Sequence, residues 1–424
     1  MAGISKGFVE MGAHHTQSML RQQFREQSLT IYLDHSATTP PCSEAIAAMD
    51  EVLRAQWGNP SSIHHWGDRL ATAMEIARCQ VAALIGADPT EIFFTSGGTE
   101  ADNWALMGVA RQYREPQHII ISSVEHSAIA KTAAFLETQG WGVTRLPVNR
   151  QGRVNPADLS GAIRPNTVLI SIIHGQSEVG TLQPIAELGA IARQAGILFH
   201  GDAVQTAGRI PLDMATLPVD LLSLSSHKIY GPQGAGALYI RSGVELMPLL
   251  FGGSQEGQLR AGTQAVAAIA GFGAAAERMD QVGLTESQRL QDLRDRLFDG
   301  LGEGTGLQRT GERCDRLPHH ASFCLDLKGW NPTKPVPSGR DLVRQLNHAS
   351  IAASSGSACN SGTLSPSSVL SAMGYSEIEA IGALRFSLGR STQAADIDWT
   401  IQTVRQILKR LGYQPARALS CPIS

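Results

Sequence analysis

Hydrophobic positions along the chain follow two alternating periodicities, which predict alternating strands and helices. Short apolar runs typical of strands lie at 118–122, 143–148, 168–173, 197–202 and 220–224. Between them, apolar residues recur at helical spacing near 127–139 and 184–195. This alternation predicts the α/β class, with a large domain whose mostly parallel sheet is covered by helices on both faces.

A second group of elements follows the first. It comprises predicted helices at 265–278 and near 285–302, a strand at 319–327, a helix at 339–347 and a strand at 383–388. A chain of 424 residues is long enough for a second, smaller domain, here of the α+β type. We expect a flexible extension over 1–28, a large domain over 45–285, and a small domain made of 29–44 and 286–424.

Polar residues follow the predicted strands of the large domain. Ligands of such sheets bind at the carboxyl ends of the strands, where the following residues are expected to meet: Thr99, His126, Asp202, Gln205 and Lys228. A strand, a glycine-rich turn and a helix occur in sequence over 91–110, which points backbone N–H groups at an anion. The sequence therefore predicts a phosphate site at Gly98 and Thr99.

One lysine in this set is flanked by apolar strands. The polar residues Ser225, Ser226, His227 and Lys228 stand between the strand runs 220–224 and 237–240. A lysine amine in a partly dry pocket becomes a nucleophile toward aldehydes. Pyridoxal phosphate (PLP) uses such a lysine as a Schiff base and needs a carboxylate on its pyridinium nitrogen, for which Asp202 is the candidate.

Composition and net charge indicate which classes of partner the chain does not favour. The chain is 42% hydrophobic and 17% charged with a formal charge of −3, which favours neither nucleic acid nor an anionic membrane as a partner. No apolar run approaches the roughly 20 residues of a membrane span. The six cysteines are scattered, which indicates a reducing, cytoplasmic location.

A cysteine lies within a run of small residues at 353–362. Such residues cannot pack a core, so we expect an exposed, mobile loop with a reactive thiol, Cys359. Beyond it, Arg385 begins an alternating, strand-like segment.

A set of short motifs occurs in order between about residue 31 and residue 398: YLDHSATTP, GNPSS, TSGGTEADN, EHSA, HGDAVQ, SHKIYGPQGAGALY, RAGT, SSGSAC and RFSLGR. In these motifs the chain resembles the cysteine desulfurases, which are fold-type I PLP enzymes of the class V aminotransferase group. The segment SSGSACNSG is similar to the long cysteine loop of one branch of this family, called group I.

The resemblance implies roles for individual residues. Lys228 would form the Schiff base, Cys359 would be the nucleophile, and His126 would stack on the cofactor ring and move protons. The substrate carboxylate would pair with Arg385, and Asn59 would also contact the substrate. Cofactor contacts are implied for Gly98, Thr99, Ser177, Asp202, Gln205, Ser225, Ser226, His227 and, from a second subunit, Thr263.

The resemblance also implies the reaction and its partners. L-cysteine would become L-alanine, and the sulfur would remain as a persulfide on Cys359 for a sulfur acceptor such as an iron–sulfur scaffold protein. A homodimer is implied, with no resident metal; a transient contact of Cys359 with an iron–sulfur cluster stays open. A class V aminotransferase and a selenocysteine lyase are the alternatives within PLP enzymes.

One departure from the family pattern opens a further alternative. The chain has Gln176-Ser177-Glu178 where the family has Asn-Asn-Glu, so the position of a cofactor-contacting asparagine is Ser177. Gln176 is a candidate to supply the missing donor. Otherwise the chain would be a PLP-binding, sulfur-trafficking partner with impaired catalysis.

Two other patterns in the sequence favour no ligand. Four residues, Cys314, His319, His320 and Cys324, match no standard zinc spacing, and 319–327 alternates like a strand. The glycines of 231–236 are followed by a strand instead of a helix, which argues against a dinucleotide site.

Overall fold

The structure is a computed structural model that describes residues 31–302, 304–328, 330–331, 333, 335–356 and 365–414. Two sequence predictions fall outside these residues. They concern the extension over 1–28 and the loop that carries Cys359.

Twelve strands are found in the described part of the chain. Their bounds are β1 Ile31–Tyr32, β2 Ile92–Thr95, β3 His118–Ser122, β4 Gly142–Leu146, β5 Thr167–Ile173, β6 Leu198–Asp202, β7 Leu221–Ser225, β8 Gly236–Ile240, β9 Leu307–Arg309, β10 His320–Leu325, β11 Ile351–Ala352 and β12 Leu384–Ser387.

Eleven α-helices accompany them within the same residues. Their bounds are α1 Ser43–Ala55, α2 His65–Leu84, α3 Gly98–Ala110, α4 Ser127–Thr138, α5 Pro156–Ala162, α6 Ile185–Gln194, α7 Val266–Gly300, α8 Gly339–His348, α9 Ser368–Ala372, α10 Glu377–Ile381 and α11 Ala394–Leu411. None of these helices has the length and apolar character needed to cross a membrane.

Seven strands form one sheet, in the order β2-β8-β7-β6-β5-β3-β4. The pairs β7–β6, β6–β5, β5–β3 and β3–β4 are parallel, and β8 runs antiparallel to both of its neighbours. The predicted mostly parallel sheet is therefore confirmed. The carboxyl ends of β3, β5, β6 and β7 meet at one edge, where the loops after these strands come together.

Helices cover both faces of this sheet. Side chains alternate between the faces of a strand, so Ile120 and Leu222 join one buried cluster while Ile119 and Leu221 join another. The first cluster also takes in residues from α1, α2, α6 and the first half of α7, and the second takes in residues from α3 and α4. This two-sided burial explains why apolar residues occupy both faces of the central strands.

A separate core surrounds two smaller sheets. Strands β12-β10-β9 form an antiparallel sheet, and β1 pairs in parallel with β11. Their core includes Leu33 near the start of the described chain, Leu297 in the second half of α7, and residues of α8 and α11. Long α7 thus contributes to both cores, and the loop after β1 connects them.

Helix α7 differs from the sequence prediction. Residues 265–278 and 285–302 were predicted as two helices, but α7 runs without interruption from Val266 to Gly300. Gly283, in the predicted gap, packs closely against another segment: a Cβ there would lie 2.3 Å from the carbonyl oxygen of Gly208. The glycine is therefore explained by a close backbone approach, which the local sequence does not reveal.

The start of β8 provides a test of how tightly the sheet is packed. A Cβ on Gly236 would lie 2.6 Å from Gly97 Cα and 2.7 Å from the Leu224 carbonyl oxygen, so Gly236→Ala must displace backbone. We expect this substitution to lower the free energy of unfolding by about 1–3 kcal/mol, measured by urea denaturation. The matched control is Gly161→Ala, on exposed α5 with nothing within 4 Å of the added methyl group. A control loss as large as that of Gly236→Ala would contradict the prediction.

Candidate active site

Lys228 lies at the sheet edge, in a single turn of 3-10 helix directly after β7. Its Nζ donates hydrogen bonds to the carbonyl oxygens of Ser36 and Ala37, both at 2.7 Å. Burial, followed by the charges of Arg385 and Arg209, lowers the pKa of Lys228 to about 8. The amine is thus closer to its neutral, nucleophilic form than an exposed lysine would be.

The loop that receives this amine is fixed against the lysine turn. Thr39 donates both its N–H and its hydroxyl to the His227 carbonyl at 2.9 Å, and its hydroxyl oxygen accepts the Tyr230 N–H at 2.7 Å. The Cys42 N–H donates to the Tyr230 carbonyl at 2.8 Å. These bonds hold Tyr230 at a positive φ of 68°, which is uncommon for a residue with a side chain.

A possible anion site begins α3. Gly97 has φ of 153°, and no side chain from the described part of the chain caps the helix, so its first N–H groups have no side-chain acceptor there. A Cβ on Gly98 would lie 2.6 Å from Val204 Cγ2 and 3.5 Å from Ser225 Cβ, so glycine is required there and Ser225 lies beside it. Thr99 occupies the second helical position, as predicted for phosphate binding.

Asp202 ends β6 and is only 4% exposed. Its Oδ1 accepts the Val204 N–H at 2.9 Å. Burial raises the pKa of Asp202, whereas the nearby charges of His126 and Lys228, together with that hydrogen bond, lower it. These interactions place the carboxyl, the imidazole and the amine in one buried group.

Gln205 shares an acceptor with the lysine. Its Nε2 donates at 2.9 Å to the Ser36 carbonyl oxygen, the same atom that accepts from Lys228 Nζ. The Gln205 Oε1 is buried and has no hydrogen-bond partner among the described residues.

His126 is the N-cap of α4. Its Nδ1 accepts the Ala128 N–H at 3.2 Å, so in the neutral ring the proton is on Nε2. The capping bond fixes the ring at the end of the loop after β3, and the imidazole is half-buried. Its placement by helix capping accounts for its position at the strand edge.

The residues before Lys228 point in different directions. The hydroxyls of Ser225 and Ser226 are both buried without a partner, but Ser226 Oγ lies against Gly231, where a Cβ would come within 2.1 Å of it. Ser225 instead lies beside the start of α3. His227 Nδ1 is 3.1 Å from Thr38 Oγ1, and burial and the neighbouring lysine lower the pKa of His227 to about 4.

Arg385 is 5% exposed and lies on β12. Its Nη2 donates to Asp34 Oδ1 at 2.8 Å, and its Nη1 donates to the Ser177 carbonyl at 3.0 Å. The same Ser177 carbonyl is 2.9 Å from His320 Nε2. The Arg385 Nε is buried and has no hydrogen-bond partner within the described chain, so one nitrogen of the guanidinium is left unsatisfied.

Gln176 holds the loop that carries Ser177. Its Nε2 donates to the Val124 carbonyl at 3.1 Å, in the loop after β3, and its Oε1 accepts the N–H groups of Glu178 and Val179. The amide therefore links two loops at the sheet edge. Its role as a replacement donor for the missing asparagine stays a prediction.

The unsatisfied atoms of this group fit PLP. Buried polar atoms normally have partners, yet Ser225 Oγ, Gln205 Oε1 and Arg385 Nε have none among the described residues. The same group of residues contains the uncapped N-terminus of α3, the buried carboxyl of Asp202 and the amine of Lys228. A helix N-terminus binds a phosphate, a carboxylate binds a pyridinium nitrogen, and an amine binds an aldehyde.

Two predicted site residues are not joined to this group by any contact in the described structure. Asn59 is exposed in the loop between α1 and α2, and its Oδ1 accepts the Ser61 N–H at 2.9 Å. Thr263 is exposed just before α7. Cys359 lies outside the described residues, so its placement stays a prediction.

The sequence reasoning missed the contribution of the loop after β1. Asp34 pairs with Arg385, and the carbonyls of Ser36 and Ala37 hold Lys228. The turn-rich polar stretch after an apolar strand was a signal for Asp34. The two carbonyls had no signal, because a backbone acceptor looks the same at every residue.

The four residues considered as a metal cluster have other surroundings. His319 Nε2 is 3.2 Å from Ser36 Oγ, and His320 bonds the Ser177 carbonyl. Cys314 is exposed, whereas Cys324 is buried. In the described ranges, no three His, Cys, Asp or Glu side chains are placed to share a metal ion.

Comparison with known proteins adds relatives over nearly the whole chain. Residues 31–399 match the family model described as aminotransferase class-V. A protein named cysteine desulfurase IscS from Methanosarcina thermophila is 45% identical over 387 residues, which is 91% of this chain and 93% of the relative. A protein of the same name from Dictyoglomus turgidum is 44% identical, over 90% of this chain and 95% of the relative.

A solved structure gives the same result. A NifS-like protein superposes with a TM-score of 0.83 and 34% identity, covering 90% of this chain and 100% of that chain. The match extends over both the large sheet and the smaller sheets, so the predicted fold class is confirmed. The chain therefore belongs to the class V aminotransferase family and, within it, to the group that contains the cysteine desulfurases.

Proposed function

We propose that this chain is a PLP-dependent cysteine desulfurase that converts L-cysteine to L-alanine and leaves the sulfur as a persulfide on Cys359. The observation that carries the proposal is the buried lysine amine beside a buried carboxyl and an open helix N-terminus. The names of the relatives support the reaction, and one similar structure, with a TM-score of 0.75 and 34% identity, is titled "SspA in complex with cysteine".

The proposal assigns cofactor contacts to the residues at the sheet edge. When bound, PLP supplies an aldehyde for amines and a pyridinium ring that accepts electrons from the substrate. The phosphate would be held by the α3 N-terminus at Gly98 and Thr99. Asp202 would hold the proton of the ring nitrogen, and His126 would lie on the ring face. The remaining proposed contacts are Gln205, Ser177, Ser225, Ser226 and His227.

Lys228 has two tasks in this proposal. Its amine, with the lowered pKa, is available as the nucleophile that anchors the cofactor. Once released, the same amine would act as a base that takes the proton from the substrate Cα and then donates it to a different atom. The carbonyls of Ser36 and Ala37 keep the amine near the sheet edge between these tasks.

Arg385 would bind the substrate carboxylate. Its guanidinium is already oriented by Asp34 and by the Ser177 carbonyl, and its Nε is buried without a partner among the described residues. An arginine held in this way needs little reorganisation to bind a carboxylate. The proposal places the substrate between this guanidinium and the Lys228 amine.

Cys359 would remove the sulfur as a thiolate. Its sulfur attacks the substrate sulfur, an S–S bond forms, and the substrate Cβ–S bond breaks. The electron pair of the broken bond stays on the carbon side, which is protonated and leaves as alanine. The terminal sulfur on Cys359 then passes to an acceptor protein, such as an iron–sulfur scaffold.

The proposal includes assembly, domains and location. Thr263 is exposed in the single chain, as expected if it reaches the site of a second subunit in a homodimer. The large domain would span 45–285, and the small domain would combine 29–44 with 286–424. Cys42, Cys79, Cys314 and Cys324 are free thiols, which suits a reducing compartment such as the cytoplasm.

The test of the reaction is to supply L-cysteine to the PLP-loaded protein and to quantify alanine and sulfide. We expect Cys359→Ala to lose at least about 100-fold in alanine production, because the sulfur then has no acceptor thiol. The control variants are Cys79→Ala and Cys314→Ala, which remove exposed free thiols and are expected to keep wild-type turnover. Full turnover by Cys359→Ala would favour the aminotransferase or lyase alternatives.

Replacement of the lysine tests the cofactor anchor. We expect Lys228→Ala to lose the covalent, borohydride-reducible attachment of PLP and at least about 1,000-fold in turnover, because nucleophile and base are removed together. Mass spectrometry after reduction locates the attachment. Lys131→Ala, on the exposed side of α4, is the control. Attachment that persists in Lys228→Ala would identify a different lysine and refute the assignment.

The pH dependence of the lysine provides a separate measurement. Because the pKa of Lys228 is lowered to about 8, its neutral fraction rises roughly tenfold per pH unit below that value and levels off above it. Reductive methylation of Lys228 in cofactor-free protein, followed by peptide mass spectrometry, should show this profile. Arg385→Gln removes a charge that lowers this pKa, so its profile should move to higher pH, whereas exposed Arg54→Gln should not move it. A profile of Arg385→Gln that is identical to the wild-type profile would contradict the electrostatic argument.

A further inference from the structure

Two more carboxyl groups are buried close to Asp202. Asp102 is 1% exposed and Glu125 is 8% exposed, and neither is among the predicted site residues. Asp102 lies on α3, one turn after Gly98, and Glu125 lies in the loop between β3 and α4. Electrostatic repulsion from both Asp202 and Glu125 acts on Asp102. Three carboxyls thus share one dry region behind the candidate active site.

A line of neutral side chains leads to Asp102. His200 and Asp202 are two residues apart on β6 and therefore face the same side of the sheet. His200 Nδ1 is 2.8 Å from Ser171 Oγ, and its Nε2 is 2.9 Å from Ser223 Oγ. Ser223 pairs in register with Asp202 and hydrogen-bonds the Asp102 carboxyl. Asp102 therefore packs directly against the strands that position Asp202.

Among the described residues, no lysine or arginine forms an ion pair with Asp102. Its Oδ1 is buried without a hydrogen-bond partner there, and the His200 imidazole has its Nε2 3.9 Å from that oxygen. Burial lowers the pKa of His200 to about 3, so this imidazole is neutral. On the same helix, Glu100 pairs with Arg260, so the charge of Arg260 is compensated by Glu100.

Asp202 has the nearby cations that Asp102 lacks. It accepts the Val204 N–H, and the charges of His126 and Lys228 act on it favourably. Glu125 Oε1 accepts the Ser122 hydroxyl at 2.5 Å and the Ile173 N–H at 3.0 Å, but its Oε2 is buried without a partner among the described residues, and burial raises its pKa to about 8. When adjacent buried carboxyls compete, the negative charge goes to the one with donors and cations, which here is Asp202.

We infer that Asp102 holds a proton in the folded protein, so that the negative charge of the pair Asp102 and Asp202 resides on Asp202. Burial first, and the Asp202 charge second, raise the pKa of Asp102 well above its ordinary value, in agreement with the geometry. Asp102 is a positioning residue, since it acts through Asp202. The consequence for catalysis rests on the proposed function: a neutral Asp102 leaves Asp202 charged toward the ring nitrogen of PLP.

Unfolding of the full-length, cofactor-free chain tests the protonation without relying on the function. An unfolded aspartate has a pKa of about 3.9, so a folded Asp102 that keeps its proton must lose it on unfolding above that pH. Wild-type stability therefore falls with rising pH relative to Asp102→Asn, which cannot ionise. We expect the unfolding constant of the wild type, divided by that of Asp102→Asn, to rise roughly tenfold per pH unit between pH 5 and 7.

The control for this ratio is Asp280→Asn, an exposed position on α7, for which the ratio should stay constant. A constant ratio for Asp102→Asn would overturn the inference, since it would mean that Asp102 is ionised in both states. If the amide does not fold, Asp102→Leu gives the same readout, because leucine is neutral and of similar volume. Failure of both neutral variants to fold would also count against a protonated Asp102.

A second readout examines the consequence for the cofactor. The absorbance of the PLP-loaded protein is recorded against pH for Asp102→Asn and for Asp202→Asn. We expect the Asp102 variant to keep the wild-type maximum and pH profile, and the Asp202 variant to change both. A change of equal size in Asp102→Asn would place the charge on Asp102 and refute the inference. If the protein takes up no PLP, the proposed function fails, while the unfolding result still decides the protonation.

Discussion

The hydrogen bonds between the Lys228 amine and the carbonyls of Ser36 and Ala37 are the contact on which the candidate site depends. They join the end of β7, deep in the large sheet, to a loop that follows β1 at the start of the described chain. The same loop carries Leu33, which packs in the other core, and Asp34, which pairs with Arg385 on β12. One short loop thus brings the two cores and the two cationic side chains together.

Few side chains around the loop after β1 carry a charge, because burial makes each charge without a partner energetically unfavourable. His35, His319 and His320 are buried, and burial lowers the pKa of each. The cations that remain include Lys228, Arg385 and Arg209, whose Nη2 donates to the Lys228 carbonyl at 2.6 Å. Each faces an oxygen acceptor that belongs to a different element, so the elements are held in one relative position by the same bonds that orient the site.

The sequence could predict the features that depend on the pattern of apolar and polar side chains. It could not predict the features that depend on close backbone packing between distant segments. The apolar runs fixed the order of strands, and polar residues after them correctly indicated one shared edge that includes Asp202 and Lys228. The continuity of α7 was missed because Gly283 packs against the Gly208 backbone, a contact between distant segments. The bond from Gln176 Nε2 to the Val124 carbonyl, in the loop after β3, is another contact between distant segments that the local sequence does not reveal.

The serine at position 177 illustrates how the site tolerates a departure from the family pattern. Arg385 is oriented by the carbonyl of Ser177 and not by its side chain, so shortening the side chain leaves this bond in place. A second acceptor, Asp34, holds the other nitrogen of the same guanidinium. The orientation of Arg385 therefore depends on the backbone conformation at 177 and on a distant aspartate. In the proposed function, Arg385 would therefore orient the substrate carboxylate independently of the side chain at 177. The change from asparagine to serine would then alter only contacts to the cofactor ring.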